Sequence, residues 1–173
     1  MRTRLEVVET QRLVLCWLGP GDAEFILELL NDPSWRQYIG DKGVRTIADA
    51  QNYIRKGPVE MYAQLGFGLY LVQTKEDAQP IGICGLIKRD GLEDVDLGFA
   101  FLPRFWGKQY AFEAAAGVLA HAKDVLGMSR IVAITSSENL RSIDLLGRLG
   151  FRYERNVRLD AAGDELELHA YAA

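Results

Sequence analysis

Between Asp96 and Ala116 the chain sets out residues that can hold a phosphate group beside a carboxylate. Residues 95–102 alternate, placing Val95, Leu97, Phe99 and Phe101 on one strand face and Asp96, Gly98 and Ala100 on the other. The first face is bulky. The second is small apart from one carboxylate, which leaves room for something to lie against it. Pro103 closes the strand, and Trp106-Gly107-Lys108-Gln109-Tyr110-Ala111 leads directly into a helix with the apolar stripe Phe112, Ala115, Ala116, Leu119 and Ala122. The first amides of a helix have no internal partner, and the helix dipole adds positive potential there, so this joint suits a diphosphate. Gly107 lets the main chain approach such a group with no Cβ in the way. A strand-loop-helix joint is also common as plain architecture, so taken alone it names no ligand.

A second constellation, Ser136-Ser137-Glu138-Asn139-Leu140-Arg141-Ser142, follows the next strand. Asn139 there reads either as a helix N-cap or as a ligand contact. Asp96 is a candidate proton acceptor, its alternative being a solvated strand carboxylate. Ser142, taken by itself, reads as a surface helix residue. Glu113 reads as a first-turn charge favoured by the dipole rather than as a base. Cys16 and Cys84 sit in apolar stretches and read as reduced core thiols, and His121 and His169 suggest no dyad with them. The two His and two Cys show no ligand spacing, so no metal is expected.

These groups must be placed by a scaffold that the rest of the chain specifies. Residues 11–17 read as a first strand, and Asp22 as the cap of a helix over 23–30, which Asn31-Asp32-Pro33 stops. Thr46 and Asp49 make a capping box for a second helix through Lys56, which Gly57-Pro58 ends. Strands follow at 67–74, 81–88 and 95–102, then the long helix, a buried strand at 130–135 and a helix after Asn139 with Leu140, Ile143, Leu146 and Leu149 facing inward. Gly150 ends that helix, and strands at 151–159 and 165–170 close the chain. The order β-α-α-β-β-β-α-β-α-β-β predicts an α/β class, a mixed sheet with helices on both faces.

Composition narrows the function. A length of 173 residues fits one domain, and 49% hydrophobic with 25% charged residues is a globular mixture. The net charge of −4, with no basic run longer than Lys88-Arg89, argues against a nucleic-acid partner. Residues 1–8 do not read as a signal peptide, and no apolar run approaches the ~20 residues that span a membrane, so a cytoplasmic protein without a membrane partner is expected.

The segments 96–99 and 102–114, taken together, resemble the acetyl-CoA-binding motif of the GCN5-related N-acetyltransferases (GNAT). Thr10-Gln11-Arg12-Leu13-Val14-Leu15, Asn139-Leu140-Arg141-Ser142-Ile143 and Leu149-Gly150-Phe151 match as well, and are similar to the RimJ/RimL branch that acetylates ribosomal-protein N-termini. The resemblance covers nearly the whole chain. It implies a single N-acetyltransferase domain over 1–173, with a mostly antiparallel central sheet whose neighbouring strands splay at one point. It further implies main-chain bonds from Ala100, Phe101 and Leu102 to the pantetheine arm of acetyl-CoA. Amides of Gly107, Lys108, Gln109, Tyr110, Ala111 and Phe112 would hold the diphosphate, Asn139 the pantetheine, and Ser142 the sulfur. Asp96 falls where family members often carry Glu.

The chain departs from the family at Gln109, where Gly is usual; a positive φ there would strain a side-chain-bearing residue. The acceptor pocket is expected from Trp35, Tyr38, Tyr53, Met61, Tyr62, Phe67 and Tyr70, whose rings could equally fill the core. Lys88, Arg89 and Asp90 read either as loop charges or as an anchor for an acidic acceptor. The acceptor itself is a protein N-terminus or a small amine. A non-catalytic acyl-CoA sensor of the same fold is the rival reading, and a nucleotide-binding domain is weaker because no G-x-G-x-x-G or Walker-type loop is present. A homodimer is plausible for an enzyme of this size.

Overall fold

A computed structural model describes residues 4–173; the leader reading over 1–8 lies partly outside them. One eight-stranded sheet runs in the order β1-β2-β3-β4-β5-β6-β8-β7. Its strands are β1 (Glu6–Glu9), β2 (Leu13–Trp17), β3 (Leu69–Thr74), β4 (Pro80–Ile87), β5 (Asp96–Phe101), β6 (Arg130–Thr135), β7 (Arg152–Val157) and β8 (Leu166–Ala172). Every neighbouring pair is antiparallel except β5 and β6, which run parallel.

The alternation along the strands sorts two cores. Leu13, Leu15, Tyr70, Cys84, Leu86, Leu97 and Phe101 join Ala114, Ala115 and Val118 of α5 (Tyr110–Asp124) in one. On the opposite face Cys16, Leu71, Ile83 and Leu102 pack with Ile26, Leu29 and Leu30 of α1 (Ala23–Asn31) and with Ala50 and Ile54 of α3 (Ile47–Ile54). Both cysteines are buried free thiols, and burial pushes each thiol up.

The structure corrects several element boundaries. A short strand, β1, precedes the expected first strand, and Thr10 turns the chain between them by donating its N–H to Leu13 C=O at 2.9 Å. Asp22 does not cap α1 with its side chain; it accepts from Gly19 N–H at 2.8 Å and pairs with Arg4 at 2.5 Å. Asn31-Asp32-Pro33 ends α1 but starts α2 (Pro33–Tyr38) at once. Asp32 Oδ1 accepts from Ser34 N–H at 2.9 Å, and Pro33 takes the first helical position, where no N–H is needed. Gly57-Pro58 does not end the next helix. A wide turn over Arg55–Val59 absorbs Pro58, and the chain continues as α4 (Glu60–Leu65) until Gly66 turns left-handed at φ 79. In α6 (Leu140–Leu149) the buried positions are Leu145 and Leu146, whereas Leu140 is 73% exposed.

Candidate active site

A single rung joins β5 to β6. Asp96 faces Val132, and Val132 N–H donates to Val95 C=O at 2.9 Å; beyond that rung the two strands part. Each remains paired on its outer side, β5 with β4 and β6 with β8. An antiparallel ladder turns alternate residues toward each neighbour. Leu102 N–H donates to Ile81 C=O at 3.1 Å, so the main-chain groups of Leu102 and Ala100 face β4. Those of Phe99 and Phe101 face the gap. Trp106 Nε1–H donates to Phe101 C=O at 2.9 Å, which leaves Phe101 N–H and both groups of Phe99 for another partner. Of the three residues expected to offer main chain, only Phe101 does so, and Phe99 joins it.

The loop beyond β5 makes a one-turn helix over Pro103–Phe105 and then passes through two left-handed residues, Gly107 (φ 77) and Gln109 (φ 65), before α5 begins. A Cβ on Gly107 would meet nothing within 4 Å, so open space lies in front of this turn. Gln109 takes the positive φ that strains any residue with a side chain. Its Oε1 accepts from Arg148 Nη2 at 2.5 Å. Arginines brace the same turn, Arg141 over the Trp106 ring at 4.5 Å and Arg148 over Phe112 at 4.9 Å. Arg12 lies over Tyr110 at 4.5 Å and donates to Lys108 C=O at 3.0 Å. The positive charge that gathers here supplements the amides of α5.

Glu113 points away from the gap. Its carboxylate accepts from Thr10 Oγ1 at 2.5 Å, from Arg12 N–H at 2.8 Å and from Arg12 Nε at 2.8 Å. Burial pushes this carboxyl up, but those bonds outweigh it and hold the group below its ordinary value. Glu113 thus ties α5 to the β1–β2 turn.

Asp96 is not a solvated strand carboxylate: it is 1% exposed, at the apex where the strands part. Oδ2 accepts from Arg89 Nε at 2.5 Å, and Oδ1 has no partner. Burial pushes the carboxyl up to about 6, against the pull of the Arg89 charge and a smaller main-chain contribution from Ile134. Of the three loop charges, Lys88 folds back onto the carbonyls of Arg89 and Leu92, Asp90 is exposed, and Arg89 reaches inward.

A cleft of about 1120 Å³ takes in the gap, the Gly107 turn and the inner sides of α2 and α3. Trp35, Tyr38, Tyr53 and Met61 line it. Tyr62, Phe67 and Tyr70 belong to the core instead, with Tyr62 stacked between Trp17 and Tyr70 at 4.6 and 5.8 Å. Asn139 and Ser142 lie on the cleft wall, where Asn139 Oδ1 caps α6 by accepting from Ser142 N–H at 3.2 Å. The cap occupies Oδ1 and leaves the Asn139 amide nitrogen free to donate. Among the described residues, no group of three or more His, Cys, Asp or Glu is placed to hold a metal ion, and no helix is long and apolar enough to cross a membrane.

Geometry and ancestry agree. Residues 12–152 match the acetyltransferase (GNAT) domain, and the chain belongs to that family: it is an acyltransferase that moves an acetyl group to an amine. It is 27% identical over 154 residues to the N-acetyltransferase YoaA of Bacillus subtilis, covering 88% of this chain and 86% of YoaA. An acetyltransferase structure from Agrobacterium tumefaciens superimposes with a TM-score of 0.83 at 19% identity, over 100% of this chain and 98% of that one. RimL, a ribosomal-protein α-N-acetyltransferase solved with coenzyme A, does so at 0.82 and 13% identity, over 96% and 97% of the two chains.

Proposed function

We propose that residues 1–173 act as one acetyl-CoA-dependent N-acetyltransferase domain that passes acetyl directly to a primary amine while both substrates are bound. The observation that carries this reading is the parting of β5 from β6 with main-chain groups of Phe99 and Phe101 left unpaired beside a helix N-terminus. A pantetheine arm carries amides of its own and fits such a gap as an added strand. The fit extends to the open space before Gly107 and to the Arg141 and Arg148 side chains around the turn, which suit a diphosphate. The complex of RimL with coenzyme A and the Thr10–Leu15 motif support the same reading.

Acetyl-CoA supplies an activated acyl group, and the residues of this chain supply the rest. Amides of Gly107 through Phe112 hold the diphosphate, and the Asn139 amide nitrogen steadies the arm. Phe99 N–H, the gap-facing amide nearer Asp96 along β5, donates to the carbonyl oxygen as negative charge gathers there. Ser142 steadies the departing sulfur. Asp96 takes the amine's proton, directly or through water. An α-ammonium near pKa ~8 gives its proton to an ordinary carboxyl near ~3.9 only at a cost of about 6 kcal/mol. A carboxyl raised to about 6 roughly halves that climb.

Asp96 must be ionised to accept a proton, so kcat/KM should rise as pH is raised through about 6. Thiol release from acetyl-CoA, followed between pH 5 and 8, should show that limb, and Asp96→Asn should lose it together with ~100-fold or more in rate. An Asn variant with the wild-type rate and profile would remove Asp96 from the chemistry. Binding of acetyl-CoA without thiol release on any amine would make the protein a sensor.

A further inference from the structure

Two bare groups stand side by side at the end of the cleft. Asp96 Oδ1, fully buried, has no hydrogen-bond partner. Arg89 is tied to Asp96 through Nε alone, at 2.5 Å, so its two Nη nitrogens have no protein partner among the described residues. Both side chains line the cleft. Resting on the acetyltransferase reading, we propose that the acceptor is an amine with a free carboxylate on the adjacent carbon, an α-amino acid, whose ammonium meets Asp96 Oδ1 while its carboxylate meets the Arg89 fork.

The geometry asks for both charges at once. Because Arg89 Nε and Asp96 Oδ2 are bonded to each other, the vacant acceptor and the vacant donors are adjacent, and an α-amino acid places opposite charges at that spacing. A guanidinium fork matches a carboxylate bidentately. Lys42, on the cleft rim, and Tyr53, on α3, lie close enough to Arg89 to feel its charge. Burial and that neighbouring charge hold Lys42 below its ordinary value. Asp96 pairs with Arg89 alone, and among the described residues no carboxylate lies within salt-bridge distance of Lys42, so positive charge is in excess around these two side chains. A peptide N-terminus presents a neutral amide in place of that carboxylate and leaves the excess positive charge unanswered, so the free acid fits better than a protein terminus.

The step balances within these groups. The ammonium proton passes to Asp96, the freed nitrogen bonds to the acetyl carbon, the carbon–sulfur bond breaks with its electron pair leaving on sulfur, and the second proton that the nitrogen sheds as the amide forms passes to that sulfur. The products are an N-acetylamino acid and coenzyme A.

The test is thiol release from acetyl-CoA with L-amino acids of varied side chain, each beside its own carboxamide, and with short peptides. At least one free acid should exceed its carboxamide in kcat/KM by tenfold or more, chiefly through KM, and Arg89→Gln should bring that ratio to within about threefold of unity. Should Arg89→Gln not fold, Lys42→Ala, altered only at the rim, should still lower the ratio severalfold. Carboxamides or peptides used as well as the acids would overturn the proposal and leave the acetyltransferase standing. No thiol release with any amine would overturn both.

Discussion

At Gln109 the chain turns through φ 65 into α5, a conformation that glycine adopts freely and glutamine does not. The hydrogen bond from Arg148 to its Oε1 offsets part of that strain, which explains how a longer residue persists at this turn. Gln109→Gly should therefore stabilise the protein by about 1 kcal/mol, raising Tm by ~3 °C, without weakening acetyl-CoA binding. Thermal unfolding and calorimetry check both parts; a lower Tm would mean that the Arg148 bond outweighs the strain. The departure at Gln109 was legible in the sequence, but its backbone conformation was not, because φ is set by how the loop meets the helix. Asp96 shows the same divide. Alternation along residues 95–102 placed it among small residues, yet its burial and its pairing with Arg89 arise only when β4 folds back on β5.

Elements were read well where an apolar run or an Ala-rich apolar stripe was clear, as in β6 and α5, and poorly where one signal served two purposes. Asp32-Pro33 is both a stop for α1 and a start for α2, and Pro58 sits within a wide helical turn rather than at a helix end. The consequence reaches the site, since α2 brings Trp35 and Tyr38 to the cleft and α4 brings Met61. At this scale Glu113 is a positioning residue. It grips Thr10 and Arg12, and Arg12 in turn holds the Lys108 carbonyl in the loop before α5. Glu113→Ala should cost about 1–2 kcal/mol in stability and weaken acetyl-CoA binding by several-fold to tenfold, with Glu113→Gln recovering part of each. Equal acetyl-CoA affinity in the Ala variant, measured by calorimetry, would show that the loop needs no such tether.

At the scale of the molecule, the seven strand pairings among the described residues serve one failure to pair. Antiparallel neighbours hold β5 and β6 from outside, the two cores fix the sheet between its helix layers, and the parallel contact at Asp96 and Val132 lets the strands diverge. Sequence order alone implied the mixed sheet, but which main-chain groups face the opening depends on ladder register, which keeps Phe101 of the three expected residues, turns Ala100 and Leu102 toward β4 and adds Phe99. Amide hydrogen exchange resolved by residue tests this directly. The Phe99 and Phe101 amides should exchange readily in the free protein and slow at least tenfold with saturating acetyl-CoA, while the Leu102 amide, bonded to Ile81, stays slow throughout. Phe99 and Phe101 amides that are already protected without acetyl-CoA, or unchanged by it, would contradict the open-strand account.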